Sequence, residues 1–253
     1  MIVNQTETGW EIIYQRAHAL LAGQIASHWQ VKERPSRWFE TLAAITQHDD
    51  YGREWEHEDQ LTPAGAPKHF QLGGTPDLIQ PREVTTNSQY QGRWIALLTS
   101  MHTSFLYEPL RDESAEIAEF LDEQLANQAR WRKELKVNKA EAESAYAIMQ
   151  WCDALSLILC QRQLPPDGRA VEVSRGPDGT RYDVMQRDDS PDEDEAKAGT
   201  IYVTIKPWVF EEAEFSVSIE ATYLDQLSFK SNDELRSALK SGRIEPLVWK
   251  FLR

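Results

Sequence analysis

From about Gln15 the apolar residues Ala17, Leu20, Leu21, Ile25 and Trp29 recur at helical spacing, the pattern that turns one face of a helix toward a core. A second such stretch carries Trp38, Phe39, Leu42 and Ile45. Pro35 closes the region before it, Ser36 is placed as its N-cap, and Gly52 marks its end. Tyr90 to Tyr107 reads as a strongly apolar helix and Glu113 to Leu135 as a long amphipathic one with a charged outer face. Ala140 to Gln163 predicts another long helix, stopped by Pro165-Pro166. Between Gly52 and Gln89 the periodicity lapses. Four Pro and three Gly fall between Thr62 and Pro81, so this stretch is expected to be a long ordered loop, either wall or lid to a site.

Shorter, extended texture flanks the helical part. Ile2-Val3 and Gly9 to Tyr14 look like short strands. After Gly168, Val171 to Ser174 and Arg181 to Met185 flank Pro177-Asp178-Gly179, a hairpin signal. Ile201 to Ile205 and Phe215 to Ile219 alternate as half-buried strands do, and Asp188 to Glu195 is an acidic run expected to be a solvated loop. Ser231 with Glu234 predicts a capped short helix, and Leu247 to Leu252 a returning strand. The expected fold is mainly α: a helical bundle of about five helices over residues 1–166, with a smaller β-rich part over 167–253. That second part carries no recognisable chemistry and is expected to pack on the bundle or support a homodimer.

Composition narrows the functional classes. The 253 residues carry a formal net charge of −14, which argues against a nucleic-acid or anionic-membrane surface, since both need a basic face. Nine Trp supply large anchors for a core and for the rim of a cleft. Cys152 and Cys160 lie eight apart on a predicted helix, roughly 12 Å along its axis, too far for a disulfide. They read as small apolar residues in a reducing compartment, and the polar stretch Met1 to Trp10 lacks a signal pattern, so the cytoplasm is expected.

Four polar positions break the apolar helix faces. His18 shares a face with Leu21, Ala22 and Ile25, and His48 follows Thr41, Ala44 and Ile45 at helical spacing with Asp49 beside it. His102 is flanked by Leu98, Phe105 and Leu106, and Asp153 interrupts the apolar run from Trp151 to Cys160. Singly each has an ordinary reading: a core histidine, a polar helix end, a packing hydrogen bond. Four such positions on four helices are most simply explained if they meet, and a cation offsets the cost of burying Asp49 and Asp153. Imidazole and carboxylate suit Mn, Fe, Ni or Zn. His18, His48, Asp49 and Asp153 are the expected metal ligands for one or two ions, with positions left for water and substrate. His102 and Asp50 are the expected catalytic groups, and Tyr51 and Glu56 could extend a proton relay. His28 is expected at the rim, and His57 and His69 in the loop. Arg16, Arg34 and Arg37 could receive a phosphate, and Trp38, Trp55 and Trp94 could wall a pocket. No Gly-rich phosphate loop, dinucleotide fingerprint or nucleophile elbow is present.

The order His18, His48-Asp49, His102, Asp153 resembles the HD superfamily of metal-dependent phosphohydrolases, whose additional histidine serves a second metal in some members. The segments Ala17 to Trp29, Gln47-His-Asp-Asp50 and Ser100-Met-His102 resemble a bacterial family of uncharacterised proteins. The HD resemblance covers the helical part and departs from the pattern after the pair, where the next histidine is His57. It implies a metal-dependent hydrolase acting on a small phosphorylated or nucleotide-like substrate through a metal-activated water, with oxygen-using di-iron chemistry as the rival enzyme class. The alternative is a sensor that binds a small molecule or partner in the same polar pocket without turnover.

Overall fold

The computed structural model describes residues 1–49, 60–73, 78–187, 194 and 199–253. Strands β1 (Ile2–Gln5) and β2 (Trp10–Ile13) precede six helices: α1 (Gln15–Ser27), α2 (Trp38–Gln47), α3 (Ile79–Ser88), α4 (Arg93–Tyr107), α5 (Ala115–Leu135) and α6 (Lys139–Cys160). Four strands follow, β3 (Ala170–Arg175), β4 (Arg181–Gln186), β5 (Ile201–Lys206) and β6 (Glu214–Leu224). Helix α7 (Asn232–Ser241) and strand β7 (Arg243–Leu252) complete the described elements.

All seven strands join one sheet in the order β1-β2-β6-β7-β5-β4-β3, antiparallel except for the parallel pair β5–β7. This overturns the mainly α bundle with a β-rich appendage. The fold is α+β, with half the chain helical and 22% in strands that form a single sheet. The reason is long-range pairing. β2 lies against β6, with Trp10 opposite Leu224 and Ile12 opposite Thr222, a match that no local pattern encodes.

Helices α1 and α6 lie against the sheet, contacting β6 and β3, and α2 and α4 pack behind them. β6 shows how the sheet is read by two cores. Phe215, Val217, Ile219 and Ala221 point into the main core with Trp29, Trp94, Trp131, Trp151 and Trp249. Leu224 instead joins Met1, Ile12, Phe229, Leu235 and Leu239 in a smaller cluster under α7. The sheet is thus covered on both faces at the β2–β6 end.

The expected loop also needs correction, since the helix α3 occupies its end, Ile79–Ser88. Pro81 stands third in that helix, inside the first turn, where the missing N–H breaks no intrahelical bond. Its Pro was therefore compatible with a helix start. Other expectations agree with the fold: Ser231 accepts a bond from the Glu234 N–H at 3.2 Å, and the β3–β4 hairpin turns through Gly179 at φ 80°. Cys152 and Cys160 are buried free thiols. Among the described residues, no helix is long and apolar enough to cross a membrane.

Candidate metal centre

Helix α1 brings His18 to the centre of the molecule, and its approach to α2 depends on a glycine. A Cβ at Gly23 would lie 2.1 Å from Cγ2 of Thr46, so only glycine lets the two helices close here. Two residues beyond Thr46, His48 caps the C-terminal end of α2 and Asp49 follows it. α4 supplies His102 and α6 supplies Asp153. The rings of His18 and His48 stand edge to face at 5.1 Å between centroids, and those of His48 and His102 at 5.0 Å.

The hydrogen bonds fix how these rings are turned. Nδ1 of His48 lies 2.6 Å from the Ile45 carbonyl, which can only accept, so this nitrogen carries the proton. Ser156 spends its own hydroxyl proton on the Asp153 carbonyl at 2.8 Å. It therefore accepts from Nδ1 of His18 at 3.0 Å. Both histidines thus present Nε2 to carboxylates. His18 Nε2 lies 2.5 Å from Asp49 Oδ2, and His48 Nε2 lies 3.1 Å from Asp153 Oδ1 and 4.0 Å from Asp49 Oδ2. A neutral imidazole in this tautomer would aim a lone pair at an oxygen lone pair. Something positive must sit between them, either a proton or a metal ion.

The donor set fits an ion. His18, His48 and Asp49 form one group of prospective ligands and His48, His102 and Asp153 a second, each with its ligand atoms within 4.8 Å of one another. Ligands at about 2.1 Å from a common ion stand about 3 Å apart at right angles and about 4.2 Å apart when opposed. The His48 contacts to both carboxylates already lie in that range, while the 2.5 Å contact of His18 with Asp49 would open slightly. The imidazoles form the inner side of the site and the carboxylates the outer. The His18 and His48 side chains are 1% exposed, those of Asp49 and Asp153 9% and 14%.

Without an ion the cluster is an electrostatic compromise. Burial alone would lower His48, but the charges of Asp153 and Asp49 outweigh it and push His48 up to about 9. Burial alone would likewise raise Asp153, yet His48 beside it holds its carboxyl below the usual range. Burial, joined by the charge of His48, pushes His102 down to about 4, so its ring is neutral at pH 7.

Four helices therefore bring His18, His48, Asp49, His102 and Asp153 into one cluster. Asp50 lies outside the described residues, as do Tyr51, Trp55, Glu56 and His57. The remaining candidates lie elsewhere. His28 stacks on Phe215 at 3.8 Å and meets Glu212 at 3.1 Å, and His69 accepts from the Gln71 N–H at 3.2 Å. Arg34 donates to the carbonyls of Trp29 and Ser27, and Arg37 pairs with Glu40. Arg16 is exposed, Trp94 is core and Trp38 is partly buried against it. Two participants escaped the sequence reading: Ser156, which fixes His18, and Tyr146, whose hydroxyl lies 3.5 Å from His102 Nδ1. A polar stripe at 146, 153 and 156 on one face of α6 was the available signal.

No curated protein and no solved structure matches the chain. A family profile does, over residues 1–226, and on that match the chain belongs to the family described as protein of unknown function (DUF3891).

Proposed function

We propose that the cluster holds one divalent transition-metal ion, Mn, Fe, Ni or Zn, and that the protein is a metal-dependent hydrolase of HD type. The observation that carries this reading is the orientation of the two inner histidines. Each has Nδ1 tied to an oxygen, Ser156 Oγ or the Ile45 carbonyl, which leaves Nε2 directed at a buried carboxylate. Metal-ligating histidines are commonly fixed in this way, because the second bond sets the tautomer and raises ligand basicity. The two groups of ligands share His48, and with Nδ1 spent that ring has a single lone pair to offer. One ion at a time is what it can serve.

His18, His48, Asp49 and Asp153 would hold the ion, which when bound supplies a water activated as a nucleophile at neutral pH. The neutral His102 ring stands next to His48 and would assist as a hydrogen-bonding group beside the ion. The favoured substrate is a small phosphorylated or nucleotide-like molecule, in line with the HD resemblance. The two free, buried thiols favour a reducing compartment, which supports the cytoplasm.

The test is metal content by mass spectrometry on tag-free protein beside Asp49→Ala, followed by a panel of phosphate esters. Stoichiometric metal that is absent from the variant, with turnover in the panel, is the expected result. Protein that stays metal-free after incubation with each ion would overturn the reading.

A further inference from the structure

The tyrosine on α6 stands where the cluster meets the surface. Tyr146 lies two turns before Asp153, so both project from nearly the same face of the helix. Its ring contacts His102 on the inner side, at 6.2 Å between centroids, and Phe105 on the outer side, at 6.5 Å. Phe105 is half exposed and, with Ser104, Glu108 and Pro109, lines a shallow groove at the end of α4 whose surface is mainly apolar. The hydroxyl of Tyr146 is poorly used. Its partner among the described residues is His102 Nδ1 at 3.5 Å, beyond the length of a good hydrogen bond. A phenol keeps its proton at neutral pH, so this group is an O–H donor. This half-buried donor, between a metal site and an apolar groove, lacks a close acceptor among the described residues.

We propose that Tyr146 donates a hydrogen bond to an oxygen of the substrate's anionic group as that group sits at the metal, with the substrate's apolar part lying along Phe105 in the groove. This rests on the metal-site reading above, and it narrows the substrate class to a small phosphate ester with an apolar organic group. Charge supports the dependence on metal. Without the ion, an incoming anion would face Asp49 and Asp153; with it, the same anion finds a cation and the Tyr146 donor together.

Two anions that differ only in their organic part, methylphosphonate and phenylphosphonate, test this by calorimetric titration into metal-loaded protein, with metal affinity measured separately. Wild type is expected to bind phenylphosphonate about tenfold more tightly, since one ring leaves water. Tyr146→Phe is expected to weaken both anions by about tenfold, the loss of a hydrogen bond to a charged group, with unchanged metal affinity and Tm. Phe105→Ala is expected to abolish the preference for phenyl while leaving methylphosphonate untouched. Equal binding by wild type and Tyr146→Phe overturns the role of Tyr146, and so does a metal-loaded wild type that binds neither anion. Both results leave the metal site standing. Failure to load metal at all overturns the earlier reading and this one with it.

Discussion

Two buried carboxylate sites in this molecule are built on opposite plans. Glu11, on β2, accepts four bonds: Asn4 at 2.9 Å and Arg162 Nε at 3.1 Å on one oxygen, Arg162 Nη2 at 2.6 Å and Tyr223 at 2.6 Å on the other. Burial alone would raise its pKa, but those bonds, led by that of Arg162, hold it below the ordinary 4.5. Asp49 and Asp153 are instead supplied with imidazoles, whose charge depends on pH and whose nitrogens can ligate a metal. A guanidinium is permanently charged and has no lone pair to give. The first site is complete as protein; the second is balanced only when a proton or a cation enters it. That contrast separates a carboxylate that knits strands together from one that equips a site.

The largest expected effect sharpens the contrast directly. Asp153→Ala should weaken metal binding by about a thousandfold, while the metal-free fold loses no more than about 3 kcal/mol, the contribution of the His48 proton that Asp153 helps to hold. Isothermal titration of the metal beside chemical denaturation measures both. A variant that keeps its metal would break the comparison.

Next comes pH. His48 is raised from 6.5 to about 9 in the metal-free protein, so its contribution is fully present below pH 6.5 and is lost as pH rises through about 9. The loss amounts to roughly 3 kcal/mol at most. Metal must displace the same proton, so metal affinity should rise over the window in which metal-free stability falls. Denaturation curves and metal titrations at pH 6, 7.5 and 9 would show the two trends crossing, and parallel trends would refute the assignment.

Arg162→Ala should cost about 2 kcal/mol, the half-exposed guanidinium tempering the penalty for a stranded Glu11, with metal affinity unchanged. The smallest effect belongs to Ser156→Ala. It removes one hydrogen bond, about 1 kcal/mol, yet frees the tautomer of His18 and should lower metal affinity by roughly tenfold. Metal affinity equal to that of wild type would show that Ser156 does not orient the ring.

Much of the candidate site was legible because it violates a local rule. His18, His48, His102 and Asp153 stand among apolar neighbours at helical spacing, and that misfit is visible in a window of a dozen residues. Ser156 and Tyr146 break no rule, since serine and tyrosine are ordinary on a half-buried helix, and their roles exist only once Asp153 and His102 are placed. Glu11 escaped for a related reason. In a four-residue strand it reads as the polar side of an alternation, and its partners Arg162 and Tyr223 stand far along the chain. The helices were readable from periodicity, apart from α3, whose Pro81 resembled loop chemistry. The sheet was not, because its order is decided by pairings between distant segments.

The placement of β1 and β2 bears on how the chain comes to fold. These strands are made before helices α1 to α6, yet β2 finds its neighbour β6 only after those helices have been synthesised, and β6 in turn takes its other edge from β7, which follows it in the chain. During synthesis Ile12 and Ile13 have no sheet to join, although both are fully buried at the end. The sheet therefore closes only once β6 and β7 have been made, with slow, non-local pairing as its last step. A nascent chain stalled before β6 would present an unpaired, apolar hairpin, the species that a holdase chaperone would be expected to capture.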